Sequence, residues 1–144
     1  MRMCTLALAV LGLGGTSLGQ PAPQDPLLRS RLALLSRAFR TGDPGLLRRS
    51  LGPSGRIRLD LPERREAQGN FGPGQVAVVL SHVFRESATA FLDFRDVTVS
   101  GSDSAHARGQ WVRRINGAAE RETLLVTLQL DGGDWRIVEI RSTP

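Results

Sequence analysis

The sequence predicts one α+β domain in which three N-terminal helices pack on one face of a strongly curved, mainly antiparallel sheet. Three segments in the first two-thirds of the chain have apolar residues at helical spacing. Four segments with strand patterning follow, without a further helix signal. Two-residue turn signals separate the last strands. With 144 residues, 40% hydrophobic and 23% charged, the chain has the size and composition of a single domain.

The first two helices are each marked by an aspartate followed by a proline. Asp25 is predicted to cap the first helix, with Pro26 at its first position, and Asp43 and Pro44 repeat this signal for a second, shorter helix. Gly42 is expected to end the first helix. The predicted apolar face of the first helix consists of Leu27, Leu28, Leu32, Leu35, Ala38 and Phe39, and that of the second of Leu46, Leu47 and Leu51.

A third helix and five strands follow from the spacing of apolar residues. Residues 56–61 alternate strictly and predict a half-buried strand, whereas residues 62–74 are polar and glycine-rich and predict a loop. The hairpin signals Asn116-Gly117 and Gly132-Gly133 make the last strands antiparallel neighbours. The third helix is predicted over residues 75–86, with Val76, Val79, Leu80, Val83 and Phe84 on its apolar face. The remaining strands are predicted over residues 90–100, 105–115, 123–130 and 135–141.

The N-terminal segment, residues 1–19, has the pattern of a cleaved secretory signal peptide. Arg2 supplies the positive charge, an apolar run follows, and small Ser17 and Gly19 occupy the −3 and −1 positions before Gln20. A short membrane anchor is the alternative interpretation. It is the weaker one, because a span needs about 20 apolar residues and glycines interrupt this run. No stable membrane span is therefore expected after cleavage.

The mature chain is predicted to consist of a short linker, residues 20–24, and one domain, residues 25–142. Cleavage after Gly19 also removes Cys4, which is the one cysteine of the sequence. The mature protein is therefore expected to lack disulfides and cysteine metal ligands, and its stability must come from its apolar core. A periplasmic or secreted location follows from the same interpretation.

Short sequence features point to a known family. They are residues 39–43 between the first two helices, Gln75-Val76 with Leu80 and Phe84 in the third, and Trp135-Arg136-Ile137 in the last strand. Together with the order of elements, they resemble the nuclear transport factor 2-like superfamily, which has a cone-shaped, cystatin-like fold. Ketosteroid isomerases, scytalone dehydratase and many binding domains share it. Within this superfamily the chain is most similar to short exported bacterial domains of the domain of unknown function 4783 type. The resemblance covers residues 25–142.

The resemblance implies a cone between the helices and the sheet, and strand alternation predicts which side chains face it. Proton-transfer enzymes of this fold need an Asp or Glu base inside the cone. The predicted inward set contains no carboxylate and no histidine. It comprises Ile57, Leu59, Leu61, Leu92, Phe94, Ala105, Ala107, Gly109, Trp111, Leu124, Val126, Leu128 and Leu130. The cavity-lining candidates for an apolar ligand are Phe84, Phe94, Trp111 and Val126.

Two residues are candidates for a catalytic base despite this pattern. His82 lies at the edge of the third helix's apolar stripe, where a structural histidine is the commoner outcome. Asp96 has the same strand parity as Phe94, although a bulge or strand end after Arg95 would turn it to solvent. His106 shares a predicted outer face with Arg108. That polar row is either an ordinary solvated face or an anion or ligand site.

The remaining charged residues predict no metal, cofactor or nucleic-acid site. Glu120 and Glu122 share a strand face, but no third ligand accompanies them, so we expect them to pair with Arg113 or Arg121. The net charge is +5, yet acids lie between the arginines, and only 5% of residues are aromatic, with no tyrosine. This composition argues against nucleic-acid binding.

Two functional hypotheses from different classes remain. The first is an exported, non-enzymatic domain that binds a small apolar ligand or a protein partner through its cone or its open sheet face. The second is a ketosteroid-isomerase-like or dehydratase-like enzyme that uses Asp96 or His82 as its base. An open cavity that reaches either residue favours the enzyme, whereas a cone filled by Phe84, Phe94 and Trp111 favours the binding domain.

The outer face of the sheet is predicted to carry an apolar patch. On regular strands Phe91, Val97 and Val99 point away from the helices, and so do Val138 and Ile140. A contiguous patch of this kind indicates a partner interface, so we expect a homodimer that pairs sheet to sheet. The alternative is a β-bulge that turns Val138 and Ile140 back inward.

Overall fold

The computed structural model describes residues 25–144, which contain three α-helices and six strands. The predicted signal peptide and linker, residues 1–24, lie outside the described residues. The helices are α1 (Pro26–Thr41), α2 (Pro44–Leu51) and α3 (Pro73–Glu86), with a short 3₁₀ helix at Arg65–Ala67. The strands are β1 (Ile57–Asp60), β2 (Gln68–Phe71), β3 (Ala88–Ser100), β4 (Ser104–Ile115), β5 (Ala118–Asp131) and β6 (Asp134–Thr143).

The six strands form one sheet in the order β2-β1-β6-β5-β4-β3. All neighbours pair antiparallel except β1 and β6, which are parallel. The chain reaches this arrangement by crossing from β1 and β2 through α3 to β3 and then running as a four-strand meander. The predicted fold class, helices packed on a mainly antiparallel sheet, is confirmed.

The helix starts follow the predicted capping chemistry. The Asp25 carboxylate accepts the Leu27 backbone N–H at 2.9 Å, and the Asp43 carboxylate accepts the N–H groups of Gly45 and Leu46 at 2.7 and 3.2 Å. Gly42 ends α1 in the left-handed conformation at φ 64°, as predicted.

Two predictions about the middle of the chain and one about α1 are wrong. Residues 62–74 are not all loop, because β2 forms there and pairs with β1. Its polar residues give no alternation signal; β1 supplies the hydrogen bonds that make it a strand. The third helix begins at Pro73, two residues before the predicted start. Leu27, predicted on the apolar face of α1, is 55% exposed, because it lies in the first turn beyond the edge of the core.

The core lies between the helices and the inner face of the sheet. Phe39 of α1 and Leu80 of α3 meet Leu59, Leu124 and other inward strand residues there. The other fully buried large side chains include Leu28, Leu35, Leu47, Leu51, Ile57, Trp111, Leu128 and Ile137. Among residues 25–144, the helices are too short or too polar to cross a membrane.

Irregular pairing in β3 and β6 changes which side chains face outward. The β3–β4 register shifts between Phe94 and Asp96, and the β5–β6 register shifts so that Val138 has no partner on β5. Beyond the second shift Ile140 is fully buried, and beyond the first Val97 packs against the core. The predicted apolar outer patch is therefore wrong in large part, and the β-bulge alternative describes Ile140 correctly.

Candidate functional site

The interior of the cone is filled by aromatic rings. Phe39 contacts Phe84 edge to face at a centroid distance of 4.9 Å and Trp111 at 5.3 Å. The Trp111 indole N–H also donates to the Thr89 hydroxyl at 3.0 Å, which fixes the ring. These contacts pack the space between α1, α3 and β4 with side chains.

The predicted ligand-lining residues belong to this packing. Trp111 and Val126 are buried in the core, and Phe84 and Phe94 are half-buried against it. Phe94 lies directly over Gly109, where a Cβ would come within 2.9 Å of the ring. The four side chains therefore serve the core, and the structure does not bring them together around a cavity.

A charged cluster closes the end of the cone next to Trp111, which we call the mouth. Arg113 of β4 is only 3% exposed, and its Nη2 contacts Oε1 of Glu122 on β5, which confirms the predicted pairing of these strands' charges. The guanidinium lies 4.5 Å from the centre of the Trp111 ring and 3.4 Å from the Ser87 hydroxyl. Within residues 25–144, Nε of Arg113 has no hydrogen-bond partner.

The expectation that no inward-facing side chain is a carboxylate is wrong, because Glu122 faces the cone at the mouth. Glu122 follows the same alternation as Leu124 and Val126, and Arg113 follows that of Trp111. Extending the inward alternation by one position, from Trp111 to Arg113 and from Leu124 back to Glu122, predicts both residues. Only the apolar residues were assigned to the interior, because charged side chains at a strand end are normally solvated.

A third acid joins the mouth from the loop after β1. Oxygens of Glu63, Glu120 and Glu122 lie within 4.8 Å of one another, and Glu63 is 3.9 Å from Arg113. The expectation that no third acid accompanies the two glutamates is therefore wrong. The guanidinium already supplies positive charge here, which disfavours a cation among the carboxylates. Burial lowers the pKa of Arg113, as does nearby Arg64 to a lesser degree, while Glu63 and Glu120 raise it.

The cavity at the mouth is small. Its volume is about 20 Å³, enough for roughly one water molecule, and Leu61, Trp111, Arg113 and Glu122 line it. Arg64 from the same loop as Glu63 forms an ion pair with Glu86 at the end of α3. The mouth is therefore a closed, charge-paired end of the domain.

Neither predicted catalytic base faces the cone. His82 is exposed on α3 and lies in a surface groove between α2 and α3. Asp96 is exposed on the opposite side of the molecule, because the register shift beside Arg95 turns it outward. The solvent-facing alternative for Asp96 is correct. The two residues lie on different surfaces and cannot act together.

A groove crosses the outer face of the sheet, the face that points away from the helices. This outer groove has a volume of about 480 Å³, and Asp96, His106, Arg108, Glu139 and Arg141 are among its lining residues. It confirms the outward position predicted for His106 and Arg108. The His106 ring lies 3.3 Å from the Thr127 hydroxyl, which is 3.4 Å from the Glu139 carboxylate.

Comparison with solved structures shows the same architecture. A domain of unknown function 4783 family protein from Bacteroides ovatus has a TM-score of 0.62 and 16% identity, covering 76% of this chain and 91% of its own. A ketosteroid isomerase-like protein from Erwinia carotovora atroseptica has a TM-score of 0.60 and 17% identity, and the match covers 82% of this chain and 95% of that protein. An LEH-like epoxide hydrolase from M. tuberculosis has a TM-score of 0.60 and 12% identity, and the match covers 83% of this chain and 84% of that protein. This chain has a nuclear transport factor 2-like fold.

The nuclear transport factor 2-like fold is thus shared with proteins of different kinds, and identities below 25% establish the fold alone. No protein-family model matches the sequence, and a search of curated proteins finds no match. The function of this nuclear transport factor 2-like domain has to be argued from its own cone, mouth and grooves.

Proposed function

We propose that this chain is an exported, non-enzymatic binding domain that uses the outer face of its sheet. The filled cone is the observation that carries the proposal, because Phe39, Phe84 and Trp111 occupy the space where an enzyme of this fold would hold its substrate. The pattern of residues 1–19 supports export. An apolar ligand inside the cone is disfavoured for the same reason as a substrate.

The charges of the outer face favour a second copy of the chain as the partner. Across the sheet, Asp96, Arg108, Leu125, Arg141 and Asp60 follow one another on neighbouring strands. The row carries acids at both ends and arginines between them. A two-fold axis that passes between Asp96 and Arg108, away from the centre of the row, places Asp96 of each copy against Arg108 of the other, and a symmetric dimer makes this contact twice.

Sedimentation velocity of residues 20–144 tests this proposal. We expect the wild type to dimerise in a concentration-dependent way and Arg108→Glu to be monomeric, because the substitution places like charges across the interface. Arg85→Glu, an equal charge change on α3, serves as the matched control and should dimerise normally. A monomeric wild type at high concentration, or equal loss in both variants, contradicts the outer-face interface.

Glu122 favours a second candidate function, proton transfer at the mouth. It is an inward-facing carboxylate held by a buried guanidinium, which is the kind of group an isomerase-like or dehydratase-like enzyme uses as base. Glu122 takes the place that was predicted for Asp96 or His82. The cavity beside it must enlarge before a substrate can enter.

The two candidate functions are separated by an activity assay on an enolisable ketosteroid. We expect no turnover by the purified domain under the first proposal. Turnover that Glu122→Gln abolishes, while the variant keeps its circular dichroism spectrum, would establish the second. Turnover that persists in the variant would exclude Glu122 as the base.

A further inference from the structure

The surface groove between α2 and α3, which we call the helix groove, has an apolar floor and a basic rim. Its volume is about 470 Å³, within the range of small-molecule sites. Pro44, Ala77 and Val78 provide apolar surface, and Arg48, His82 and Arg85 provide the basic groups. It lies on the side of the molecule away from the outer groove.

The spacing of residues on α3 gives the groove its length and direction. Val78, His82 and Arg85 recur at intervals of four and three residues, so they form one stripe along the helix. Gly74 lies at the other end of the groove. The distance along the helix axis from Gly74 to Arg85 is about 16 Å, so apolar surface extends away from the pair of basic side chains.

Val78 is unusual among the apolar residues of α3. Val76, Leu80 and Val83 are buried in the core, whereas Val78 is 59% exposed beside three basic side chains. Exposed valine contributes nothing to the core. In this groove it offers the surface that an alkyl chain would cover, at a favourable free energy for each methylene removed from water.

The two arginines of the helix groove have no acidic partner within ion-pair distance, whereas His82 lies near Glu86 and, after Arg64, contributes slightly to the lowered pKa of that carboxyl. Within residues 25–144, neither Arg48 nor Arg85 has a carboxylate within 4.0 Å. The two acids closest in sequence are engaged elsewhere: Glu86 pairs with Arg64, and Asp43 caps α2. The groove therefore carries uncompensated positive charge above an apolar floor.

We propose that the helix groove binds an amphiphilic carboxylate, an unbranched alkyl chain that ends in one carboxylate. Arg85 and His82, one turn apart on α3, hold the carboxylate, since a guanidinium group matches its planar, bidentate geometry. The alkyl chain lies over Val78 and Ala77 toward Gly74. This site does not depend on the outer face or on a dimer.

Titration of residues 20–144 with dodecanoate below its micellar concentration, followed by amide NMR shifts, tests the proposal. We expect saturable binding with shifts confined to α2, α3 and the corner between α1 and α2. Acetate lacks the chain and dodecylammonium has the wrong charge, so neither should bind. Shifts in the cone, or equal binding of dodecylammonium, overturn the assignment.

Variants identify the residues responsible. Arg85→Gln should weaken dodecanoate binding about tenfold, because it removes a charge-assisted hydrogen bond, and Val78→Asp should abolish it. Both positions are exposed, so the fold should survive, as thermal unfolding will verify. Arg29→Gln, an equal charge change at an exposed position in the first turn of α1, is the matched control and should bind as the wild type does. Equal loss in Arg85→Gln and Arg29→Gln, or none in either, contradicts the proposal.

Discussion

Arg113 shows how a single buried charge determines the character of the cone. Removing a guanidinium from water is costly unless partners replace its hydration. Here Glu122 supplies the opposite charge, Ser87 an oxygen and Trp111 the face of its ring. Because these groups are already occupied by one another, the mouth is closed by internal pairing.

Glu122→Gln tests the energetic role of this pair. The substitution leaves a buried guanidinium without a countercharge, so we expect a loss of about 2 kcal/mol in the free energy of unfolding. Glu63→Gln removes a carboxylate that is 69% exposed and 3.9 Å from Arg113, and it should cost less than about 1 kcal/mol. Urea denaturation compares the two variants. Equal losses would show that burial does not strengthen the Glu122 pair.

At the scale of elements, two irregularities decide which faces of β3 and β6 are apolar. A strand with one extra residue reverses the facing of everything beyond it, since side chains alternate. In β6 this places Ile137 and Ile140 on the same inner face although they are three residues apart. In β3 it turns Asp96 out and Val97 in.

The bulge in β6 predicts unequal losses of stability for two neighbouring apolar residues. Ile140→Ala should destabilise the domain by about 2–5 kcal/mol, because it opens a cavity in the core. Val138→Ala, at the bulge itself and half-exposed, should cost about 1 kcal/mol or less. Strict alternation would place both side chains on the outer face and leave Ile140 outside the core. Thermal or urea unfolding in which Ile140→Ala proves the milder change would refute the bulge.

The start of α1 is tied to β6 by a titratable group. The Asp25 carboxylate accepts the Trp135 indole N–H at 2.9 Å as well as the Leu27 N–H. The hydrogen bond from Trp135 lowers the pKa of Asp25 below its ordinary value, and that from Leu27 adds to the effect. The unfolded chain therefore takes up the proton first as the pH falls.

This linkage predicts the pH dependence of stability. The contribution of Asp25 is complete at neutral pH and is lost as the pH falls below about 4, toward the lowered pKa of the folded state. Asp25→Asn keeps one acceptor oxygen, enough for one of the two hydrogen bonds, and cannot titrate. Its stability should fall less between pH 6 and pH 3 than that of the wild type, measured by urea midpoints. Parallel curves for the two proteins would contradict the role of Asp25.

For the molecule as a whole, the parallel pairing of β1 with β6 joins the N-terminal and C-terminal parts of the domain. Arg58 and Glu139 come together across this pair at 3.9 Å. Because β1 and β6 are far apart in sequence, their pairing contributes to stability only when the complete domain has folded. We therefore expect residues 25–144 to unfold as one cooperative unit.

Export is the prediction that concerns the full chain. The mature protein recovered from its host's envelope or medium should begin at or near Gln20, as N-terminal sequencing or intact mass would show. Ser17→Arg should block processing, because a large charged side chain does not fit the −3 position. Arg29→Gln, a change inside α1, leaves the signal intact and should not affect processing. Recovery of protein that still carries Met1 would contradict cleavage.

Local sequence signals predicted the elements whose stability is local. The caps at Asp25 and Asp43, the end of α1 at Gly42 and the hairpin at Asn116-Gly117, whose φ angles are 50° and 82°, all occur as expected. Each depends on residues within a few positions of one another, so neighbours in sequence contain the necessary information.

The site was less predictable, because its members meet only across strands. Sequence reasoning expected Glu122 to pair with Arg113 or Arg121 across the hairpin. It did not bring Glu63 to this pair, since that residue arrives from a loop about fifty positions away from Arg113. The candidate bases His82 and Asp96 carried the right chemistry at positions that face solvent.

The sequence by itself determined the fold class, the order of elements and most of the core, because helix and strand periodicities are encoded within single segments. Tertiary structure alone decided that β2 is a strand, that Ile140 faces inward and that the cone is filled. These outcomes depend on hydrogen-bond register and on contacts between distant segments. A shift of one residue in pairing reverses a strand's faces, and no local pattern records that shift.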